Sequence, residues 1–305
     1  HLSLRRQRQM CIRDSGGTIQ IITKRGTKGG THGSIVAEVG SFDRKELRAS
    51  LTKGWDQFSM NVNLGALHTD NYRNNSALKQ ENFSGGLQWA SQGARFGFRV
   101  DSSRQDARFP GSLSYAEYLN DPRQTKTPND YGSFDMDRYT IFGEKKFGNM
   151  ELAADLSHRT KRVEFFQFGG LSSYDTKMTQ FSPRLRYVGK SGNVTNEIVT
   201  GFDFSESNRV RNSSFSLDDA TQRSAAIYFR DELKISDARI AFGARHEKFK
   251  KKTVDPVPFT SNYDVSNSLN AWTLEGSYAL QPQLLVYAKT GRSYRIPNVD
   301  DNFFL

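Results

Sequence analysis

One cysteine, Cys11, stands in 305 residues, so neither a disulfide framework nor a thiol-based site can be argued from this chain. No apolar run approaches the ~20 residues that a membrane-spanning helix needs, and mean hydropathy is −0.68. The histidines His32, His68, His158 and His246 lie far apart, and no nucleophile, base and orienting group converge in sequence. That excludes a recognisable catalytic constellation and a His-based metal motif. A formal charge of +10 would suit a polyanion partner, but no concentrated basic face or nucleic-acid motif accompanies it. Part of it comes from residues 1–15, which carry Arg5, Arg6, Arg8 and Arg13 against Asp14 and no apolar signal-peptide core. Setting those aside leaves 39 basic and 32 acidic residues, spread along the chain. Residues 1–15 read as a non-native leader.

What the chain has in quantity is strict alternation. Phe58, Met60, Val62, Leu64 and Ala66 share one parity, and Gln57, Ser59, Asn61 and Asn63 the other. The same split recurs at Ile35/Ala37/Val39, Leu47/Ala49/Leu51, Phe83/Leu87/Trp89, Phe96/Phe98/Val100, Leu152/Ala154/Leu156 and Phe181/Leu185/Tyr187. It continues at Ile198/Phe202/Phe204, Ile227/Phe229, Ile240/Phe242/Ala244 and Trp272/Leu274/Tyr278/Leu280. Period two places all of these on one face of a sheet. Opposite them fall Arg48, Arg95, Arg99, Asp155, Arg184, Arg186, Glu197, Asp203, Arg230, Glu232, Arg239, Arg245 and Glu275. A dry sandwich interior could not hold so many charges, whereas a barrel with lipid outside and water inside requires them. Alternation also dilutes every hydropathy window, which is why the mean value misleads. The 12% aromatic content and 25 glycines suit strands, interfacial girdles and turns.

The connections alternate too. Tight turns are expected near Gly54, Ser91–Gly93, Gly148–Asn149, Lys190–Gly192, Ser236–Asp237 and Gln281–Pro282. Between them come long polar segments, 68–81, 102–137, 160–177, 206–222 and 247–269, expected as outer loops, with only the one at 40–43 short. Short turns at one end and long loops at the other are the asymmetry of an outer-membrane barrel. Within 102–137, Pro110-Gly111 signals a type II turn, and Ser114-x-x-Glu117 a capping box opening a short helix.

Residues 16–26 read GGTIQIITKRG, and this string, with Gly16, Gly17, Ile19, Ile21 and Ile22, closely resembles the last plug strand of TonB-dependent outer-membrane receptors. A second stretch, GRSYRIPNVDDNFF at 291–304, is similar to a barrel motif of the same family, with Arg295, Pro297 and Asp301 at its diagnostic positions. The resemblance implies an all-β chain: a transmembrane antiparallel β-barrel, partial, with about 13 of about 22 strands. Residues 16–30 would be the C-terminal end of the plug domain and 31–305 the partial barrel. It further implies active import across the outer membrane of a Gram-negative bacterium, with the TonB complex, a ferric chelate such as a siderophore, and outer-membrane lipid as partners. No cofactor, metal ligand or enzymatic activity is expected. Cobalamin, a saccharide or another nutrient is the alternative cargo, and a passive porin or adhesion barrel a more distant reading.

Two residue sets follow. Arg104, Arg108, Arg209 and Arg211 with Phe165, Phe166, Phe168 and Tyr174 lie in the expected outer loops and suit an anionic, partly aromatic ligand. Strand parity turns Arg184, Arg186, Arg230, Glu232, Arg239, Arg245 and Glu275 into the lumen, where they would face a plug, Glu232 and Glu275 being expected partners of plug arginines.

Overall fold

A computed structural model of the chain describes residues 29–213, 216–255 and 262–296. The motif residues Gly16 to Ile22, Pro297 and Asp301 lie outside the described residues. Thirteen strands follow in order: β1 (Thr31–Gly40), β2 (Arg44–Gly54), β3 (Phe58–Thr69), β4 (Leu78–Ser91), β5 (Ala94–Arg108), β6 (Tyr131–Phe147) and β7 (Met150–Gln167). Then come β8 (Gly170–Ser191), β9 (Val194–Ser213), β10 (Asp219–Ile235), β11 (Ala238–Val254), β12 (Tyr263–Gln281) and β13 (Leu284–Arg292). All are antiparallel in one meander whose sheet order equals the chain order. Strands β1 and β13 neither pair nor touch, so each leaves an open edge. The sheet is therefore a partial barrel wall.

The tight turns fall where the sequence puts them. Gly93, Gly148 and Gly192 take φ of 76°, 56° and 55°, the left-handed values that two-residue hairpin turns demand and glycine adopts without strain.

The long outer segments differ from expectation. Strands β7 and β8 run on to a two-residue turn at Phe168-Gly169, so the segment 160–177 is a hairpin rather than a loop. Likewise β9, β10, β11 and β12 extend well into segments expected as loops. The reason is physical: beyond the bilayer both faces of a strand meet water, so alternation disappears while the backbone ladder continues. Only 70–77 and 109–130 are long non-strand connections among those fully described. The second carries the expected helix, α1 (Tyr115–Asn120), with Ser114 as N-cap and Glu117 closing the capping box.

Register shows the two faces directly. Leu64 pairs with Phe83, Phe98 with Ile141, Ile141 with Leu156, Leu156 with Phe181, Phe181 with Phe204, and Phe202 with Ile227. This apolar face is uncovered: Ile35 is 78% exposed, Ile227 62% and Ile141 58%. Each such side chain is worth about 1.5–3 kcal/mol on leaving water, and lipid supplies that transfer here. Trp89 stacks on Phe96 at 5.9 Å and Phe98 on Tyr139 at 6.5 Å along the same face. One acid interrupts it: Asp231 accepts a hydrogen bond from Asn196 at 2.6 Å.

Candidate functional site

On the opposite face the charges assemble into two clusters. In the lower one, Glu232 on β10 accepts from Arg230 at 2.8 Å and from Arg239 of β11 at 3.0 Å. Glu275 on β12 lies 3.2 Å from Lys289, 3.4 Å from Arg239 and 3.7 Å from Arg230. Three cations thus surround two carboxylates, and the wall itself neutralises both Glu232 and Glu275.

In the upper cluster, Arg245 on β11 reaches Asp203 of β9 at 2.5 Å and Glu247 at 3.3 Å. Tyr294 donates its hydroxyl to Glu247 at 2.5 Å, tying the segment after β13 to β11. Arg245 also lies over the Tyr228 ring, 5.9 Å from its centroid. That ring crosses β9 at Gly201, where any Cβ would collide with the Tyr228 hydroxyl. Arg186 pairs with Glu197 at 3.0 Å and Arg184 with Asp155 at 3.4 Å. All seven lumen residues expected from parity share this face.

The outer-end candidates divide. Phe165 on β7 stacks on Tyr174 of β8 at 6.0 Å with 18° between the rings. The guanidinium carbons of Arg211 and Arg209, both on β9, sit 5.7 and 5.9 Å from the Tyr174 centroid. By register these four belong to the lumen face, so they form one patch at the mouth. Arg209 is fixed by Asp218 at 2.6 Å, while the Nε of Arg211 is out of solvent contact without a hydrogen-bond partner among the described residues.

The remaining four lie elsewhere. Arg104 and Arg108 are on β5, not in a loop, with their parity on the outward face. Arg104 binds Asp137 at 2.8 Å. Arg108 covers Tyr131 at 5.4 Å, and Tyr131 stacks on Phe166 at 6.3 Å. Phe168 occupies the hairpin tip and is 97% exposed. Parity misassigned nothing here; the strands simply continued where a loop was expected, and their two faces separated the candidates.

Sequence reasoning missed Arg73 and Asn75, which join the two outer loops. Arg73 donates to the carbonyls of Gly111 at 2.6 Å and Gln124 at 2.7 Å. Asn75 donates to those of Thr127 at 2.6 Å, Phe109 at 3.0 Å and Asp130 at 3.0 Å. Nothing local in the sequence signals these, because every partner is a backbone carbonyl at long range. Within the second loop, Lys126, 2.8 Å away, holds the Glu117 carboxyl down at about 2, helped by the Ser114 N–H.

An open antiparallel wall, lipid-facing outside and charged within, is the fold of an outer-membrane transporter barrel. The chain belongs to the TonB-dependent receptor family: residues 33–305 match the family's model described as TonB dependent receptor-like, beta-barrel. Such barrels reside in the outer membrane of Gram-negative bacteria, and this family and its structural neighbours are transporters and receptors, not enzymes. Among similar solved structures is the ferric citrate transporter FecA in its unliganded form, with TM-score 0.78, 15% identity, and coverage of 90% of this chain and 45% of that one. The ferric preacinetobactin receptor BauA from Acinetobacter baumannii gives 0.76 and 13%, covering 88% and 48%. The copper transporter OprC gives 0.71 and 13%, covering 90% and 46%. The chain thus spans about half the length of the structures it resembles. Comparison with curated proteins finds no match.

Proposed function

We propose that this wall belongs to a transporter that imports a ferric chelate, most readily a siderophore, by drawing energy from the TonB complex. The observation that carries the reading is the mouth patch: two stacked rings, Phe165 and Tyr174, flanked by the guanidinium groups of Arg209 and Arg211. An iron chelate presents an anionic, oxygen-rich and often aromatic surface. Rings stack on its aryl groups, and arginines carry charge and planar hydrogen-bond donors to its oxygens. FecA and BauA, named for ferric citrate and ferric preacinetobactin, support an iron-chelate cargo.

In this reading a plug fills the lumen against the charged wall. Arg184, Arg186, Arg230, Glu232, Arg239, Arg245 and Glu275 hydrate and orient that plug, with Glu232 and Glu275 offering their carboxylates to its cations. Cargo binding at the mouth signals through the plug, and a pull from TonB opens a path along the wall.

Uptake of an iron-55-labelled chelate by a receptor-deficient strain expressing the whole transporter tests this. Uptake should require TonB, and Tyr174→Ala with Arg211→Ala should weaken chelate binding at least tenfold. Equal uptake without TonB would mean a passive pore. Binding of cobalamin or a saccharide in place of every iron chelate tried would replace the cargo.

A further inference from the structure

The lumen wall below the mouth patch carries a group of cations that no acid matches. Arg138 on β6 and Arg159 on β7 stand directly opposite each other in the ladder, both on the lumen parity. Like charges so placed repel across about 4.5–5.5 Å between their Cβ atoms, and an anion between them offsets that cost. Neither arginine has a carboxylate partner among the described residues. Arg159 donates to the Met178 sulfur at 3.5 Å, and its Nε is out of solvent contact without a hydrogen-bond partner among those residues. Arg99 on β5 and Lys161 on β7 flank the pair on the same face, also without an acid there. Lys161 lies 5.2 Å from the Phe134 centroid. Asp101, across the ladder from Arg138, accepts from Ser84 at 2.8 Å and forms no ion pair among the described residues.

Pairing separates this group from the rest of the lumen face. Arg95 is matched by Glu144, Arg184 by Asp155, Arg186 by Glu197, Arg230 and Arg239 by Glu232, and Arg245 by Asp203. Arg211, Lys190 and Lys234 also lack a carboxylate among the described residues, but Arg211 belongs to the mouth patch and the two lysines are exposed beside the inner turns. Position then ties the group to the patch. Down the lumen parity of β7 from Phe165, the next cations are Lys161 and Arg159, the second about 20 Å along the strand. Lys161 and Arg209 flank Thr176 of β8 in register. An anion leaving the stacked rings meets these cations next.

We propose that Arg138 and Arg159, flanked by Arg99 and Lys161, form a second anion site on the path of the cargo, and that the cargo is a polyanionic chelate and not a neutral one. Adjacent guanidinium groups offer planar donor pairs to carboxylate or catecholate oxygens, and a wall of one charge sign concentrates anions along it. A neutral hydroxamate chelate, whose charged oxygens all neutralise the iron, gains nothing there. The inference rests on the iron-chelate reading above and adds the charge class to it.

Receptor-deficient cells expressing the whole transporter are offered two iron-55 probes at saturating concentration, a triply anionic tris-catecholate complex and a neutral tris-hydroxamate complex. A hydrogen bond to a charged group is worth roughly tenfold, so the parent should import the anionic probe at least about tenfold faster, and Arg138→Gln/Arg159→Gln should lower that preference about tenfold. Arg138→Lys/Arg159→Lys, which keeps the charge, should stay within about threefold of the parent. Affinity of the purified glutamine variant for the anionic probe, read by fluorescence quenching at the mouth, should also stay within about threefold, because the stacked rings and Arg211 are untouched. Folded protein is selected by heat-modifiable gel migration, and if the double variant does not fold, Arg138→Gln alone is read for a loss of about threefold. Equal import of both probes by the parent, a preference kept by the glutamine variant, an equal loss in the lysine variant, or a matching loss of mouth affinity would each overturn the proposal. So would entry of a large antibiotic into the variant cells, which would assign the arginines to a plug carboxylate. Import of the anionic probe by parent and glutamine variant alike defeats the wall site alone, whereas import of neither probe by the parent defeats the iron-chelate reading with it.

Discussion

Replacing Glu232 by alanine removes the centre of the lower lumen cluster. Among the described residues, Arg230, 12% exposed, and Arg239, 27% exposed, then retain only Glu275 as an acidic partner, at 3.7 and 3.4 Å. Breaking a fully buried pair costs about 3–5 kcal/mol, and an exposed pair contributes about 0–1 kcal/mol. The water-lined wall lies between these limits, so Glu232→Ala should destabilise the barrel by about 2 kcal/mol. Glu275 sits farther from its cations and is 22% exposed, so Glu275→Ala should cost about half as much. Because Glu232 and Arg239 share a hydrogen bond, the double variant with Arg239→Ala should show a coupling of about 1 kcal/mol. The assay is urea unfolding of the protein in lipid vesicles, read by heat-modifiable migration. In the whole transporter, either alanine variant should admit a large antibiotic at urea concentrations too low to unfold the barrel. A cost for Glu275→Ala equal to or above that for Glu232→Ala, or zero coupling, would show that the observed geometry does not govern the cluster. Loss of the folded barrel without a prior rise in antibiotic leak would remove the plug-facing role.

Further outcomes follow from other parts of the wall. Leu156→Arg, between Ile141 and Phe181 on the lipid face, should cost about 2–4 kcal/mol, whereas Ser157→Arg on the lumen face should change vesicle stability by less than about 1 kcal/mol. Arg73→Ala should raise hydrogen-exchange rates across both 70–77 and 109–130, because its guanidinium bonds join them; protection unchanged in the second loop would refute the latch. The Glu117 carboxyl, lowered from 4.5 to about 2, stabilises its loop fully above pH 4.5, and this contribution fades as pH falls through about 2. Carboxyl-carbon NMR of Glu117 should accordingly titrate near 2, and a midpoint near 4.5 would mean that Lys126 and Ser114 do not hold it. Gly201→Val should displace the Tyr228 ring and loosen Arg245, seen as a faster unfolding rate with the outer loops unaffected.

Faces were more legible in the sequence than loops. Period-two alternation specified which residues of β3, β5, β8 and β11 meet lipid, because a one-residue slip would drive charges such as Arg184 and Arg239 into hydrocarbon. The tight turns were equally plain, since positive φ at Gly93, Gly148 and Gly192 leaves a glycine signature. Strand ends beyond the membrane carried no such mark, so Arg104 and Arg108 looked like loop residues while the ladder continued through them. The mouth patch was half visible: its residue types were evident, but the pairing of Tyr174 with Phe165 depends on β7 and β8 forming a hairpin where a loop was expected, and that with Arg209 and Arg211 on β8–β9 register across a long sequence gap. Arg73 and Asn75 bind carbonyls, which every residue possesses, and so left no compositional trace.

One strand parity faces lipid and the other an aqueous lumen, and site-directed labelling reads this directly. With Cys11 replaced by serine, single cysteines are placed at Phe181, Leu185 and Ile227 and at Gln180, Ser182 and Arg184, in protein inserted into outer membranes. The first three should react only with a bilayer-dissolved maleimide and report lipid nitroxide quenching; the second three should react with a membrane-impermeant maleimide added to opened vesicles and escape quenching. Interchanged or indistinguishable labelling of the two sets would contradict the transporter-barrel account.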